Sequence, residues 1–411
     1  MTIASKLLAL RDAVENIRAA IAAKGAALPS GSPLSAYPAA VGSISGGGGG
    51  WVRPSHWPAL PEVDNRFSGL VRVPKPPNAS AEGFVVRVSL LNTVTVQIDW
   101  GDGGTSTLGS GTATHTYDWN TMTGPEDADG FKYAVVSTTS SATQQSGYSF
   151  SATGVHGGWV DLWLPHNTVS AHALYMSGNR LSAHRVRYSG KPNKTQDSMF
   201  RDMAMLREVD LGGAQPTSLA HWFNGCELLE KITGLDTSLA TLFNLAFNNC
   251  NALRDFSWIS FAQATDMTST FVDCFELKTI TINAPSITTL SATLDGCTSL
   301  RRAVVIAPAA ISAANCFRGC PLLTDVTLHT TAAAARTTTY SKSNMVSWIN
   351  DLSGSTAVLS VASCNLNAAA LNRIFTDLGT VTSGVITITS TPGAATCNRS
   401  LATAKGWTVT G

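Results

Sequence analysis

The sequence predicts a mostly β protein with α/β elements, built from an N-terminal helix, a β-sandwich, a solenoid of short repeats and a β-α-β C-terminal cap. Three observations support this fold class. Charged residues make up 13% of the 411 residues and 35 residues are glycine, which favours strands and turns because charged residues usually reach about 25%. A cysteine recurs every 23 or 24 residues in the second half of the chain, which indicates stacked repeats. Near the N-terminus the apolar residues follow a heptad instead.

The first element is the heptad of residues 1–25. Its apolar positions are separated alternately by four and three residues, as on the seam of a coiled coil. These positions are Ile3, Leu7, Leu10, Val14, Ile17 and Ile21. They predict an oligomerising or docking helix, and isoleucine at core positions favours a homotrimer. A single amphipathic helix docked on another protein is the alternative. Residues 26–50 are rich in Pro and Gly and end in a run of glycines, which predicts a flexible linker.

Residues 51–155 contain short alternating runs, such as VTVQIDW, that predict β-strands. This run leads into WGDGG, a tight turn that needs glycine at positive φ, and HTY follows. The combination resembles PKD-like domains and implies an immunoglobulin-like β-sandwich over residues 51–155. Asp99 and Asp102 could contribute to an ion site here, but calcium takes roughly six or more oxygen ligands. We therefore favour a role for both carboxylates in capping the turn.

The cysteine repeat aligns several apolar columns. Its cysteines are Cys226, Cys250, Cys274, Cys297 and Cys320, each preceded three residues earlier by Phe or Leu and followed three residues later by Leu. A repeat this short buries its apolar face only by stacking on the next repeat, so each column becomes a ladder inside a solenoid. Five cysteines in one ladder cannot all pair, and a cytoplasm keeps thiols reduced. Zinc is disfavoured because the C-x-x-C spacing is missing. We predict buried free thiols.

The repeat F-x-x-C-x-x-L-x-x-I resembles the BspA-like leucine-rich repeats of bacterial and viral surface proteins, over about residues 195–330. The resemblance implies a leucine-rich-repeat-type solenoid that serves as an adhesion or recognition surface and carries no catalytic residues. We assign residues 156–335 to it, with atypical early repeats that join it to the sandwich. The predicted solenoid core consists of Phe223, Cys226, Phe247, Cys250, Phe271, Cys274, Cys297, Phe317 and Cys320.

Residues 336–411 are predicted to form a β-α-β cap that closes the solenoid. SKSNMVSWINDL predicts a helix, AVLSVASC a strand, and NLNAAALNRIFTDLG a helix. The apolar face of the second helix consists of Leu371, Ile374, Phe375 and Leu378. VITITS predicts a strand, CNRSLATAKG a short helix closed by Gly406, and WTVTG the last strand.

The chemistry suggested by the sequence is recognition and not catalysis. The net charge is +1, which gives no reason to expect nucleic-acid binding, and no apolar run reaches the roughly 18–20 residues needed to cross a bilayer. The pairs Asp273 with Glu276 and Glu227 with Glu230 could serve glycoside cleavage, but their alignment beside the cysteine column favours turn and surface roles. We expect no enzyme activity, cofactor or metal. The candidate ligand-binding residues are the aromatic side chains Trp159, Trp163 and Tyr175, which could stack on a sugar.

The chain's start, its WVRPSHW and WGDGG segments and its ending TPGAATCNRSLATAKGWTVTG are similar to tail proteins of tailed bacteriophages. This resemblance implies a structural component of the virion, a tail fibre or tail-tip appendage, that is assembled in the host cytoplasm and released by lysis. The charged start is unlike a signal peptide, which agrees with that route. The implied partners are other tail proteins, further copies of the chain and a host-surface receptor that could be a glycan. The alternatives are a polysaccharide-degrading tailspike and a bacterial surface adhesin, which would require a secretion signal or wall anchor.

Overall fold

The structure is a computed structural model. It describes residues 51–64, 66–75, 84–90, 95–139, 148–153, 158–165, 183–190, 197–310, 316–320, 322–329, 334–335, 347–350, 357–360 and 366–411. The chain divides into one unit of residues 1–53 and another of residues 54–411, and the second unit contains nearly all of the described residues. The predicted helix of residues 1–25, with its six heptad positions, and the linker of residues 26–50 lie outside the described residues.

The N-terminal part of the second unit is an antiparallel β-structure of two sheets. Its strands are β1 (Ser68–Pro74), β2 (Phe84–Leu90), β3 (Val96–Asp99), β4 (Thr105–Leu108), β5 (Gly111–Tyr117), β6 (Phe131–Thr139), β7 (Tyr148–Thr153) and β8 (Gly158–Leu164). One sheet contains β8-β1-β6-β3-β4 in that order, and the other contains β5-β2-β7. In β2 the buried and half-buried residues alternate, as expected for a strand with one face on a core. Both sheets contribute to one continuous apolar core.

The turn WGDGG joins β3 to β4 and is held by its own two carboxylates. Asp99 Oδ1 accepts a hydrogen bond from the Gly101 amide at 2.9 Å, and Asp102 Oδ1 accepts one from the Gly104 amide at 3.0 Å. Gly101 has φ +78, which favours glycine. Within the described part of the chain, no group of three or more His, Cys, Asp or Glu side chains could hold a metal ion. Both aspartates therefore cap the turn.

The HTY segment packs directly behind this turn. His115 Nε2 lies 2.7 Å from Asp102 Oδ2, and the His115 ring stacks on Trp100 with centroids 4.9 Å apart. Tyr117 Oη donates a hydrogen bond to the Trp100 carbonyl at 2.7 Å. Burial alone would raise the pKa of Asp102, but the hydrogen bonds from His115 and Gly104 leave that pKa below its usual value. The two sequence signals thus form one interlocked corner.

The loop of residues 118–130, which joins β5 to β6, is held by Asp127. The Asp127 carboxylate is 7% exposed and accepts hydrogen bonds from Tyr133 Oη at 2.5 Å and from the amides of Phe131 and Asp129 at 2.9 Å. Burial alone would raise the pKa of Asp127, but these bonds outweigh it and lower the pKa. We expect Asp127→Asn to reduce the free energy of unfolding at pH 7 by about 1.5–3 kcal/mol, the usual value of hydrogen bonds to a charged group.

The difference in the free energy of unfolding between the native protein and Asp127→Asn should depend on pH. Because the pKa of Asp127 is lower in the folded state, its charge stabilises the folded state fully when the pH is above the unfolded-state pKa of about 3.9. This stabilisation is lost as the pH falls through the folded-state pKa. Urea denaturation at a series of pH values measures it. Asp129→Asn, at a carboxylate that is 76% exposed, is the control and should show a smaller effect. An Asp127→Asn difference that stays constant down to pH 2 would contradict this role of the charge.

Strand β8 joins the antiparallel part to the solenoid. It pairs antiparallel with β1 and parallel with β9 (Arg185–Tyr188), so a single sheet runs in the order β11-β10-β9-β8-β1-β6-β3-β4. Asp161 in β8 is fully buried, and Arg185 donates to its two carboxylate oxygens at 3.0 and 2.7 Å. The predicted boundary between residues 155 and 156 therefore falls just before a strand that belongs to both parts.

The solenoid is built from parallel strands one repeat apart. They are β10 (Glu208–Ala214), β11 (Lys231–Leu235), β12 (Thr279–Asn283), β13 (Arg302–Ile306), β14 (Asp325–His329), β15 (Ala334–Ala335), β16 (Ser347–Asn350), β17 (Ala357–Ser360), β18 (Gly384–Thr387) and β19 (Trp407–Thr410). The sheets are β12-β13-β14-β16 and β15-β17-β18-β19, after the first sheet that ends at β11. We call each repeat of the solenoid a rung. The protein is therefore mostly β with few helices.

The C-terminal region continues the parallel pairing. Helix α1 (Ala368–Asp377) begins at Asn367, whose Oδ1 accepts the Ala370 amide at 2.9 Å, and its residues Leu371, Ile374 and Phe375 are buried, as is Leu378 at its end. Helix α2 (Ser400–Thr403) is short and is followed by Gly406 at φ +85. The helix expected over SKSNMVSWINDL is wrong for residues 347–350, which form β16 paired with β14. Pairing with the preceding rung outweighs local helix propensity there.

Candidate functional site

The cysteine column lies inside the solenoid and forms a hydrogen-bonded ladder. Each thiol donates to the carbonyl of the Phe or Leu one rung earlier, with Sγ–O distances of 3.0–3.2 Å from Cys226 to Cys320. All five thiols are free and buried, and burial raises the pKa of the Cys250 and Cys274 thiols. A small side chain with one weak donor fits each place, so the thiols serve packing and not nucleophilic chemistry.

The phenylalanine column stacks beside the thiols. The rings of Phe223 and Phe247 have centroids 5.6 Å apart and are inclined by 14°, and those of Phe247 and Phe271 are 5.6 Å apart and inclined by 5°. The structure places all nine predicted core residues in the interior: Phe223, Cys226, Phe247, Cys250, Phe271, Cys274, Cys297, Phe317 and Cys320. Columns in the sequence are therefore ladders in space.

The residue before each cysteine occupies a left-handed turn. Its φ lies between +57 and +78 at Gly225, Asn249, Asp273, Gly296 and Gly319. Gly, Asn and Asp tolerate this conformation better than other residues. Asp273 is thus a turn residue. Burial, and to a smaller extent the negative charge of nearby Asp295, raises the pKa of Asp273. In each of the two carboxylate pairs considered for glycoside cleavage, the second glutamate forms an ion pair. Glu276 lies 3.3 Å from Arg254, and Glu230 lies 2.9 Å from Arg207.

The parallel ladder is interrupted between β11 and β12, where the rung of residues 254–262 forms no strand. A tight turn directly after Phe256 marks the interruption. Asp255 Oδ1 accepts the Ser257 amide at 2.8 Å, and the Ile259 amide donates to the Phe256 carbonyl at 3.2 Å. The backbone turns here instead of forming a strand, while the Phe256 ring remains buried in its column.

A groove of about 540 Å³ occupies this interruption, and we call it the strand groove. Its apolar side is formed by Phe256, Ile259 and Phe261, and its other side is the edge of β12 with Thr279, Thr281 and Asn283. It is a concave region with polar main chain on one side and apolar surface on the other, which is a usual composition for a binding site.

Three exposed cations stand at one end of the strand groove. Arg254, Lys278 and Arg301 occupy the same position in consecutive rungs, four residues after the cysteine. Arg254 lines the groove, Lys278 directly precedes Thr279 on its other side, and Arg301 lies one parallel rung, about 4.8 Å, beyond Lys278. We call these three cations the basic rim. Glu276 pairs with Arg254, and the exposed Asp255 also lines the groove, which leaves Lys278 and Arg301 as the remaining cations of the rim. The rim therefore favours an anionic group on whatever binds there.

The predicted aromatic platform is not formed. Trp159 is fully buried and packs against Phe67 with centroids 5.7 Å apart, so its assignment as a ligand-binding residue is wrong. Trp163 is half-buried, its Nε1 donates to the Val63 carbonyl at 3.1 Å, and the Arg187 guanidinium lies 5.1 Å from its ring centroid. Tyr175 lies outside the described residues.

A second cavity, of about 640 Å³, lies in the antiparallel part beside His56, Pro125 and Tyr133. Its carboxylates already have partners, since Glu126 accepts from Lys75 at 2.9 Å and Asp127 accepts from Tyr133. The strand groove has unpaired main-chain groups and a basic rim instead. We take the strand groove as the candidate functional site. Sequence reasoning did not find it, although DFSWIS breaks the alternation that TITIN keeps.

Comparison with known proteins concerns the solenoid. Residues 182–301 and 219–347 match the model of the BspA type leucine rich repeat region, in 6 copies, which confirms the resemblance of these repeats. The crystal structure of the T. pallidum leucine rich repeat protein TpLRR aligns at 16% identity and a TM-score of 0.29, over 40% of this chain and 72% of that chain. No curated protein matches the sequence. In the described residues, every helix is too short to span a membrane.

Proposed function

We propose that this chain is a recognition protein without catalytic activity, a tail fibre or tail-tip component of a tailed phage virion that presents its solenoid to the host surface. The observation that carries the proposal is the strand groove, a concave site with a basic rim on an otherwise regular sheet. The phage assignment is supported by the resemblance of the chain's start, WGDGG segment and ending to tail proteins.

In this proposal each part of the chain has one task. Residues 1–25 join the protein to other virion proteins or to two further copies in a homotrimer. The antiparallel part, which we propose to be a PKD-like immunoglobulin sandwich over residues 51–155, mounts the solenoid. Because β8 belongs to the sheets of both parts, that mount has a continuous hydrogen-bonded ladder. The proposed location is the virion tail, with assembly in the host cytoplasm and release by lysis.

The contacts of the acidic residues support recognition over polysaccharide cleavage. Glycosidases need two carboxylates about 5–10 Å apart with a free path to the substrate between them. Here Glu230 and Glu276 are held by arginines, and Asp273 sits in a left-handed turn. These side chains have structural roles that account for their positions.

The test is the binding of the fluorescently labelled full chain to a panel of bacterial strains, measured by flow cytometry. We expect binding to a restricted set of strains, a loss of about tenfold in Lys278→Glu because the rim charge is reversed, and no loss in Arg66→Glu, which reverses another exposed cation. Uniform binding to all strains, or equal loss in both variants, would contradict the proposal. Release of new reducing ends from the bound strains' polysaccharides would favour a tailspike instead.

A further inference from the structure

We infer that the strand groove binds an extended polypeptide, which adds to the edge of β12 as a further strand and places an acidic side chain at the basic rim. This inference rests on the proposed recognition function and names the ligand of its site.

The main chain of β12 provides the first argument. In a parallel ladder, alternate residues direct both their N–H and their C=O to the same neighbouring strand. The Ala284 amide donates to Ile306 at 2.9 Å, and the Lys278 carbonyl accepts from Arg301 at 2.8 Å, so the even-numbered residues face β13. Thr279, Thr281 and Asn283 therefore direct their main-chain groups into the strand groove.

These groups lack a partner on that side. Within the described part of the chain, no hydrogen bond joins the main chain of β12 to the rung of residues 254–262. The rung that would supply a strand turns after Phe256, where Asp255 Oδ1 accepts the Ser257 amide. Three N–H and three C=O groups thus line an open site where one strand is missing.

The spacing of these groups selects the class of ligand. Alternate residues of a strand are about 6.6 Å apart, twice the rise per residue. Another extended main chain repeats donors and acceptors at that interval, and this is the basis of strand addition. Ile259, half-buried on the opposite side, gives an apolar contact for one of its side chains. Sugar hydroxyls follow no such fixed interval.

Charge complementarity then selects the sequence of the polypeptide. Arg254, Lys278 and Arg301 are exposed at the end where β12 begins. The carboxylates beside them are Glu276, which pairs with Arg254, and Asp255, which lines the groove and accepts the Ser257 amide. An acidic side chain at that end of the added strand meets two further cations. Basic residues also discourage pairing between exposed sheet edges of identical chains, and the experiment separates that role from ligand binding.

The probe is a fluorescein-labelled peptide with two aspartates followed by alternating threonine and valine, titrated with the full chain and followed by fluorescence anisotropy. We expect saturable binding that weakens at least tenfold when alternate amides of the peptide are N-methylated, because the methyl groups block pairing. A peptide with lysines in place of the aspartates should bind at least tenfold more weakly. Lys278→Glu should reverse this preference, so that the lysine peptide binds more tightly than the aspartate peptide, a result that misfolding cannot produce.

Three outcomes would overturn the inference. They are equal binding of the N-methylated and unmodified peptides, no binding of either charged peptide, and binding of an N-acetylglucosamine tetramer with no binding of peptide. If cell binding persists while the peptide fails, the inference is wrong and the proposed function stands. If the peptide binds and the cell panel shows no selective binding, the inference holds and the proposed function is wrong.

Discussion

Replacing Cys274 with aspartate is expected to lower the free energy of unfolding by about 3–5 kcal/mol, the usual cost of an uncompensated buried charge. Cys274 is fully buried, and its thiol donates to the Phe247 carbonyl at 3.2 Å. A carboxylate cannot donate to that carbonyl and would face it without a cation in the interior column. Urea denaturation followed by circular dichroism measures the change.

Two controls separate charge from packing at this position. Cys274→Ser keeps a small donor and should cost far less than Cys274→Asp. Thr298→Asp places the same carboxylate at an exposed position directly after Cys297 and should change stability little. Equal stability of Cys274→Asp and Thr298→Asp would mean that the thiol column is accessible to water.

Replacing Phe247 with alanine is expected to cost about 3–5 kcal/mol, as large-to-small substitutions of buried aromatic residues do. The Phe247 ring stacks on Phe223 and Phe271 and meets the edge of Phe256 at 5.2 Å. Its removal leaves a cavity in the middle of the aromatic ladder, bounded by rings from three rungs. Because each rung is stabilised by its neighbours, one defect weakens both interfaces that it shares.

The matched control is Phe275→Ala. Phe275 follows Cys274 and is 40% exposed, so the same change of residue type removes little buried surface there. The unfolding midpoint in urea should fall strongly for Phe247→Ala and slightly for Phe275→Ala. Similar midpoints for the two variants would contradict the assignment of the Phe column to the interior.

The periodic part of the fold could be predicted from the sequence, because stacked rungs impose one period on every column. Spacing alone assigns Cys274 and Phe247 to the interior, and the structure places them there. The segment WTVTG likewise predicts strand β19. The left-handed turn before each cysteine could have been predicted as well, since every residue at that position is Gly, Asn or Asp.

The candidate site could not be predicted, because it arises where the period fails. The rung around Asp255 turns locally, with Asp255 accepting the Ser257 amide, and a single sequence does not reveal which neighbouring strand then lacks a partner. The prediction for Trp159 is wrong because the local sequence of β8 does not indicate that both of its faces are covered. The helix predicted over the residues of β16 is wrong because their pairing partner in β14 lies 22 residues earlier in the chain. Local propensity is a weak guide to such pairing.

Mass spectrometry of cysteine labelling tests the stacked-rung account most directly. The native full chain is treated with a polyethylene-glycol maleimide too large to enter a packed core, and the sites are then identified. Cys226, Cys250, Cys274, Cys297 and Cys320 should stay unlabelled until urea unfolds the chain, while the partly exposed Cys397 serves as the internal comparison. Labelling of these five thiols in the native state at the rate of the unfolded chain would contradict the account.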